Sequence, residues 1–214
     1  SPSRSPEIRP HIINLLVNSI AENLSLNVCS IGGGPGSDIV GLQMMLRNMG
    51  LSSLCHIRGY VLDQFPEWSN MWEKISSQMN QPPRVNFFKY DVGNNTPNVC
   101  HRYAVKQARL ITLVKFISAV RKQQGAFEGM RSLLRHASPG AYMFYADNKD
   151  GGDNVSFLLG IAIMAGFELV HYSHSEVFIE NNPLYSAIMK LLNHQPKRSV
   201  RMTYMLFRKK MSAN

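Results

Sequence analysis

The chain is expected to adopt an α/β fold, a mostly parallel sheet with helices on both faces. Three observations predict it. Apolar strand-like runs alternate with segments of helical period along the whole chain. The first run, Leu26 to Ile31, ends in the cluster Gly32-Gly33-Gly34-Pro35-Gly36, and an amphipathic segment follows at once. Two later runs end on aspartates, Asp63 and Asp91, so three loops should share the edge at the carboxyl ends of the strands.

The elements follow in order. Ile8, Ile12, Leu15, Leu16, Ile20 and Leu24 predict a helix over 7–24, packed on the sheet just before strand one. After the glycine loop, Ser37 is expected to cap the next helix, with Asp38 in its first turn. Ile39, Val40, Leu42, Met45 and Leu46 form its sheet-facing side, and Gly50 ends it. His56 to Leu62 reads as strand two, and Pro66 opens a helix carrying Trp68, Met71, Trp72 and Ile75. Val85 to Tyr90 is strand three, and Gly93 to His101 is a polar, turn-rich stretch. Leu110 to Phe116 is strand four, Phe127 to His136 a helix, and Ala141 to Tyr145 strand five. The apolar run from Val155 to Phe167 reads as a buried helix. Phe167–Tyr172 and Glu176–Ile179 form a strand or a bent pair, and Met202–Phe207 is the last strand.

Size and composition bound the function. The 214 residues suit one domain over 7–214, with the opening Ser1-Pro2-Ser3-Arg4-Ser5-Pro6 read as a linker. No run reaches the ~18 apolar residues of a membrane span. Cys29, Cys55 and Cys100 are odd in number and lack metal-ligand spacing, so neither a disulfide framework nor a metal site is expected, and an intracellular compartment fits. The net charge of +9 favours a polyanionic partner, nucleic acid first.

The glycine loop carries the chemistry. Glycine permits close backbone approach and positive φ, and the helix N-terminus beyond it presents free N–H groups to an anion. Gly32, Gly34 and Gly36 give a G-x-G-x-G spacing. A dinucleotide fingerprint wants a third glycine one place later and an acid about 20 residues on, which Asp63 overshoots. A P-loop needs Gly-Lys-Ser/Thr, absent here. The loop, with Asp63 and Asp91 after it, resembles the class I S-adenosylmethionine (SAM)-dependent methyltransferases. The resemblance implies a seven-stranded sheet with an antiparallel last strand inserted beside strand five. It implies that Gly32, Gly33, Gly34 and Gly36 meet the methionine part of SAM. Asp63, with Gln64, would hold the ribose, and Asp91 and Val92 would lie near the adenine. The family carries an acid two residues before the first glycine, where this chain has Ser30. Asp38 is the candidate to substitute for it from the helix start.

The combination Ser-Ile-Gly-Gly-Gly-Pro-Gly-Ser-Asp, Val-Leu-Asp and the Trp-rich helix is similar to a eukaryotic family that includes fungal methyltransferases of ribosomal RNA uridine. No Asn/Asp-Pro-Pro-Tyr/Phe motif follows strand four, where Lys115-Phe116-Ile117-Ser118 stands, and Asn182-Pro183-Leu184-Tyr185 resembles it only superficially. No cysteine motif supports C5-pyrimidine chemistry, which leaves N- or O-methylation by direct transfer. Ser118, Tyr145, Asp147 and Asn148 are candidates to line the acceptor space, none singled out as a base. Basic residues cluster at Arg102, Lys106, Arg109, Lys115, Arg121 and Lys122, at Arg131 and Arg135, and at Lys197, Arg198 and Arg201, consistent with RNA binding. The leading expectation is a SAM-dependent RNA methyltransferase. Its rival is a non-catalytic domain of the same fold that binds protein or RNA. A nicotinamide oxidoreductase is disfavoured by the glycine spacing and by Pro35, which removes an N–H.

Overall fold

The computed structural model describes residues 25–51, 56–94, 96–149, 152–178 and 199–211. The helix expected over 7–24, the linker 1–6, Cys55, Asn182–Tyr185 and Lys197-Arg198 lie outside the described residues.

Strands β1 (Ser25–Ile31), β2 (His56–Asp63), β3 (Arg84–Lys89), β4 (Leu110–Val114), β5 (Tyr142–Asn148), β6 (Phe167–Phe178) and β7 (Ser199–Lys209) form one sheet. Its order is β3-β2-β1-β4-β5-β7-β6. Every pairing from β3 through β5 is parallel, and β7 runs antiparallel to both β5 and β6. The strand order thus reverses between β1 and β4, the switch point where open α/β sheets hold ligands.

Central strands are apolar on both faces because helices cover both. Helix α1 (Ser37–Asn48) packs on one face, burying Ile39 and Leu46 against Leu26, Val28, Ile57 and Val61. On the other face, α3 (Val99–Gln107), α5 (Ala126–Leu134) and α6 (Asp153–Met164) enclose the larger core around Ile31, Leu62, Ile111, Leu113 and Met143. Helix α2 (Trp68–Ser76) follows β2 and buries Trp72, and the one-turn helix α4 (Ile117–Val120) follows β4.

Two expectations need correction. Ser37 does not cap α1: Gly36, at φ 85, occupies the N-cap and no side chain closes it. The stretch expected to stay irregular up to His101 instead starts helix α3, capped by Asn98. The Asn98 side chain accepts from the His101 N–H at 3.0 Å, and the His101 ring accepts from the Asn98 N–H at 3.2 Å. Of the two readings of the segment after α6, the first holds: it is one 12-residue strand, interrupted only by a register shift between Leu169 and His171. Among the described residues no helix is long and apolar enough to cross a membrane.

Candidate functional site

The loops after β1, β2, β3 and β4 meet in a cavity of about 240 Å³ at the carboxyl edge of the sheet. Of the ten residues expected at a cofactor, Gly32, Gly34, Asp63, Gln64, Asp91 and Val92 line it. Ser30, Gly33, Gly36 and Asp38 do not.

The glycine loop is held from beneath. The Gly32 N–H donates to the Leu62 carbonyl at 2.7 Å, which ties the loop to β2. Gly32 sits at φ +66 under the Phe116 ring, and a Cβ there would fall 1.9 Å from the ring. Asp63 then braces the loop from the side. Its two carboxylate oxygens accept the Gly34 and Phe65 N–H groups, each at 3.0 Å. Each oxygen keeps a second lone pair, so a pair of ligand hydroxyls still has acceptors.

Asp91 is equally fixed. It accepts from the Asn94 amide at 2.8 Å, the Gly93 N–H at 3.0 Å and the Gln123 amide at 2.7 Å. The Asn94 bond first, then those from Gly93 and Gln123, hold its carboxyl below the usual range, so it stays an acceptor at neutral pH. The Asp91 loop lies against α5 backbone to backbone. A Cβ on Gly129 would meet the Val92 carbonyl oxygen at 1.8 Å, and one on Gly125 would meet that of Gly93 at 2.4 Å. The Tyr90 hydroxyl donates to the Gly129 carbonyl at 3.1 Å, while burial and the neighbouring Asp91 charge push its pKa upward.

Asp38 points away from this cavity. Its carboxylate accepts from the Ser30 hydroxyl at 2.5 Å and from the Thr112 hydroxyl, beneath the loop and beside an apolar groove of about 410 Å³ between α1 and the sheet. An acid at position 30 would set two carboxylates in contact. Ser30 and Asp38 therefore form one unit that anchors the helix start, outside the lining of the cavity.

The strand-four loop supplies Lys115 and Phe116 to the cavity wall, and α4 supplies Ala119 and Val120. Lys115 is a non-glycine residue at φ 57, and its amino group donates to the Asn148 side chain. Such left-handed residues cost on the order of 1–3 kcal/mol and concentrate at ligand sites. Asp147 is fully buried and clamps α4, accepting the Ser118 N–H at 2.9 Å and the Ser118 hydroxyl at 2.8 Å. Asp147, Ser118 and Tyr145 do not line the cavity. Phe65, Trp68, Tyr90 and Gln123 do, and were not singled out for it. Trp68 had a signal in its Trp-rich helix, whereas Gln123, 32 residues from Asp91, had none. The basic residues divide: Arg121 pairs with Asp153 at 3.2 Å and Arg131 with Glu128 at 2.5 Å. Lys106, Arg109 and Arg135 lie at the opposite, amino edge, at the end of α3, the start of β4 and the end of α5.

No protein-family model and no curated protein matches the chain. Solved structures do. A SAM-dependent methyltransferase from Methanosarcina mazei superposes with TM-score 0.60 at 10% identity, covering 95% of this chain and 98% of that one. The N-methyltransferase NodS from Bradyrhizobium japonicum, in complex with S-adenosyl-l-homocysteine, gives TM-score 0.53 at 11% identity over 95% and 87%. The [4+2]-cyclase SpnF gives 0.57 at 10% identity over 99% and 84%. With the strand order above, these likenesses establish the Rossmann-like methyltransferase fold.

Proposed function

We propose that the chain is a SAM-dependent methyltransferase acting on a nitrogen or oxygen of an RNA acceptor. The observation that carries this is the convergence of Gly32, Gly34, Asp63 and Asp91 on one cavity of a methyltransferase fold. Gly32 and Gly34 would face the amino-acid end of SAM, Asp63 and Gln64 its ribose, and Asp91 with the Val92 backbone its adenine. The residues fit the group. Two carboxylates with spare acceptor capacity suit donor hydroxyls and an amine, and at Gly34 a Cβ would meet only the Trp68 ring, 3.9 Å off, so the loop backbone there lies open to a ligand. SAM supplies a methyl group activated by its sulfonium, so the chain's own task is to position the acceptor and exclude water. Lys115 and Phe116 stand on the wall where an acceptor would approach. The net charge of +9 supports a polyanionic acceptor. The likeness to the family of ribosomal RNA uridine methyltransferases makes large-subunit ribosomal RNA the first substrate to try.

The test is calorimetric titration with SAM and S-adenosylhomocysteine. Both are expected to bind, and Asp63→Asn should weaken binding about tenfold through loss of a charged acceptor. Absence of binding by the folded chain would refute the enzyme reading. It would favour a second reading, a binding module of the same fold. One observation supports that rival: with Asp38 turned beneath the loop, no carboxylate from β1 or the start of α1 lines the cavity. The [4+2]-cyclase neighbour likewise carries the fold with a different described activity.

A further inference from the structure

The outer margin of the sheet carries a second concavity that the cofactor reading leaves unused. Arg58 on β2 and Arg84 on β3 are register partners in adjacent parallel strands, so both project from the same face. Both are exposed, and among the described residues neither has a carboxylate within ion-pair distance. Like charges directly opposite on a sheet are unfavourable. A cation on the edge strand β3 discourages edge-to-edge pairing, but that needs no second arginine beside it.

Aromatic rings surround the pair. On the same face, two residues on from Arg58, lies Tyr60, whose hydroxyl interacts with Arg58 and with Tyr103 of α3. The Tyr60 and Tyr103 rings meet edge to face at 6.1 Å, and Tyr103 remains 49% exposed. Together they line a concavity of about 740 Å³. Through Trp72, Ser76, Val85, Asn86 and Phe88 it adjoins a second hollow of about 480 Å³, which reaches Asp63 and Phe65 at the mouth of the cofactor cavity. From Arg58 to Asp63 the path along β2 is about 17 Å at roughly 3.3 Å per residue.

We propose that this margin is a phosphate anchor for single-stranded RNA, with Arg58 and Arg84 gripping backbone phosphate and Tyr103 offering a face for a base. The proposal rests on the RNA reading above and names the surface that would hold the strand. Paired guanidiniums match phosphate geometry. An exposed ring beside a cationic groove is how single strands are held without duplex grooves to read.

The test is fluorescence-anisotropy titration of a labelled mixed-sequence RNA oligonucleotide across a salt series. The proteins are the wild-type chain, Arg58→Gln/Arg84→Gln, and Arg47→Gln/Lys74→Gln as a charge-matched control on the ends of α1 and α2. The Arg58/Arg84 variant is expected to bind about tenfold more weakly. Its slope of log affinity against log salt should flatten by about 1.4, two phosphate contacts at about 0.7 each. Tyr103→Ala should weaken binding at unchanged salt slope. Equal losses in the control, no RNA binding by the wild-type chain, or preferential binding to phosphatidylserine vesicles would each overturn the anchor. SAM titration of the same variants separates the two readings. If SAM fails to bind while the arginine pair still governs RNA affinity, the enzyme reading falls and the anchor stands.

Discussion

Gly32→Ala tests the architecture of the cavity most directly. The new methyl group would lie 1.9 Å from Phe116 Cδ2 and within 2.7 Å of two further ring atoms, so the ring must move. Alanine must also hold φ +66, which costs a non-glycine residue roughly 1–2 kcal/mol. Displacing a packed ring adds an overpacking cost of about 1–3 kcal/mol. Together the substitution should destabilise the fold by about 2–5 kcal/mol, a large share of a domain's typical 5–15. Urea denaturation followed by circular dichroism measures this. The two contributions separate in a double-mutant cycle with Phe116→Ala. Without the ring only the backbone cost remains, and the Gly32→Ala penalty should shrink to about 1–2 kcal/mol. A penalty that is small, or unchanged without the ring, would refute the stacked arrangement of loop and ring.

Lys115→Gly should be more stable than Lys115→Ala by about 1 kcal/mol, since both lose the side chain and only glycine relieves φ 57; equal stabilities in urea would contradict this. Thr112→Val removes a donor from the Asp38 carboxylate beneath the loop and should cost about 1–3 kcal/mol, read from the denaturation midpoint. His101 is buried, and burial lowers its pKa from the usual 6.5. His136 shifts the same way, through burial and then the charges of Arg102, Arg135 and Lys209. The unfolded chain therefore binds more protons as pH falls through 6.5, so stability is kept above that value and declines below it. Denaturation midpoints across pH 5 to 8 should show this decline, shallower in His101→Gln, and identical slopes would refute the assignment.

The sheet, the glycine loop and the two strand-end aspartates were legible because they rest on local patterns. Parallel strands read as apolar runs, and tight loops read as glycine clusters. Helix α3 was not legible for a local reason. Its buried residues are His101, Ala104 and Val105, while Val99 is 72% exposed, so its apolar period is faint. Its capping box uses histidine where glutamate or glutamine gives the familiar signature. Strand β6 could be read as one strand or a bent pair, because the polar stretch Ser173–Ser175 interrupts its apolar pattern, whereas its actual irregularity falls at Leu169 and His171. The fate of Asp38 was out of reach of any local reading. Its position depends on Thr112, 74 residues away on β4. Ser30 looked like a lost acid, and only the fold shows it as a partner of Asp38.

The backbone contact between α5 and the strand-three loop has a mechanical consequence. With the Val92 and Gly93 carbonyls seated on Gly129 and Gly125, loop and helix meet here backbone to backbone, and the Tyr90 hydroxyl on the Gly129 carbonyl adds a further tie. Phe65, 54% exposed in the loop after β2, and Trp68, the first residue of α2, also line the cavity. A ligand in this cavity would thus meet one wall set by direct backbone contact and another that carries a solvent-exposed aromatic ring.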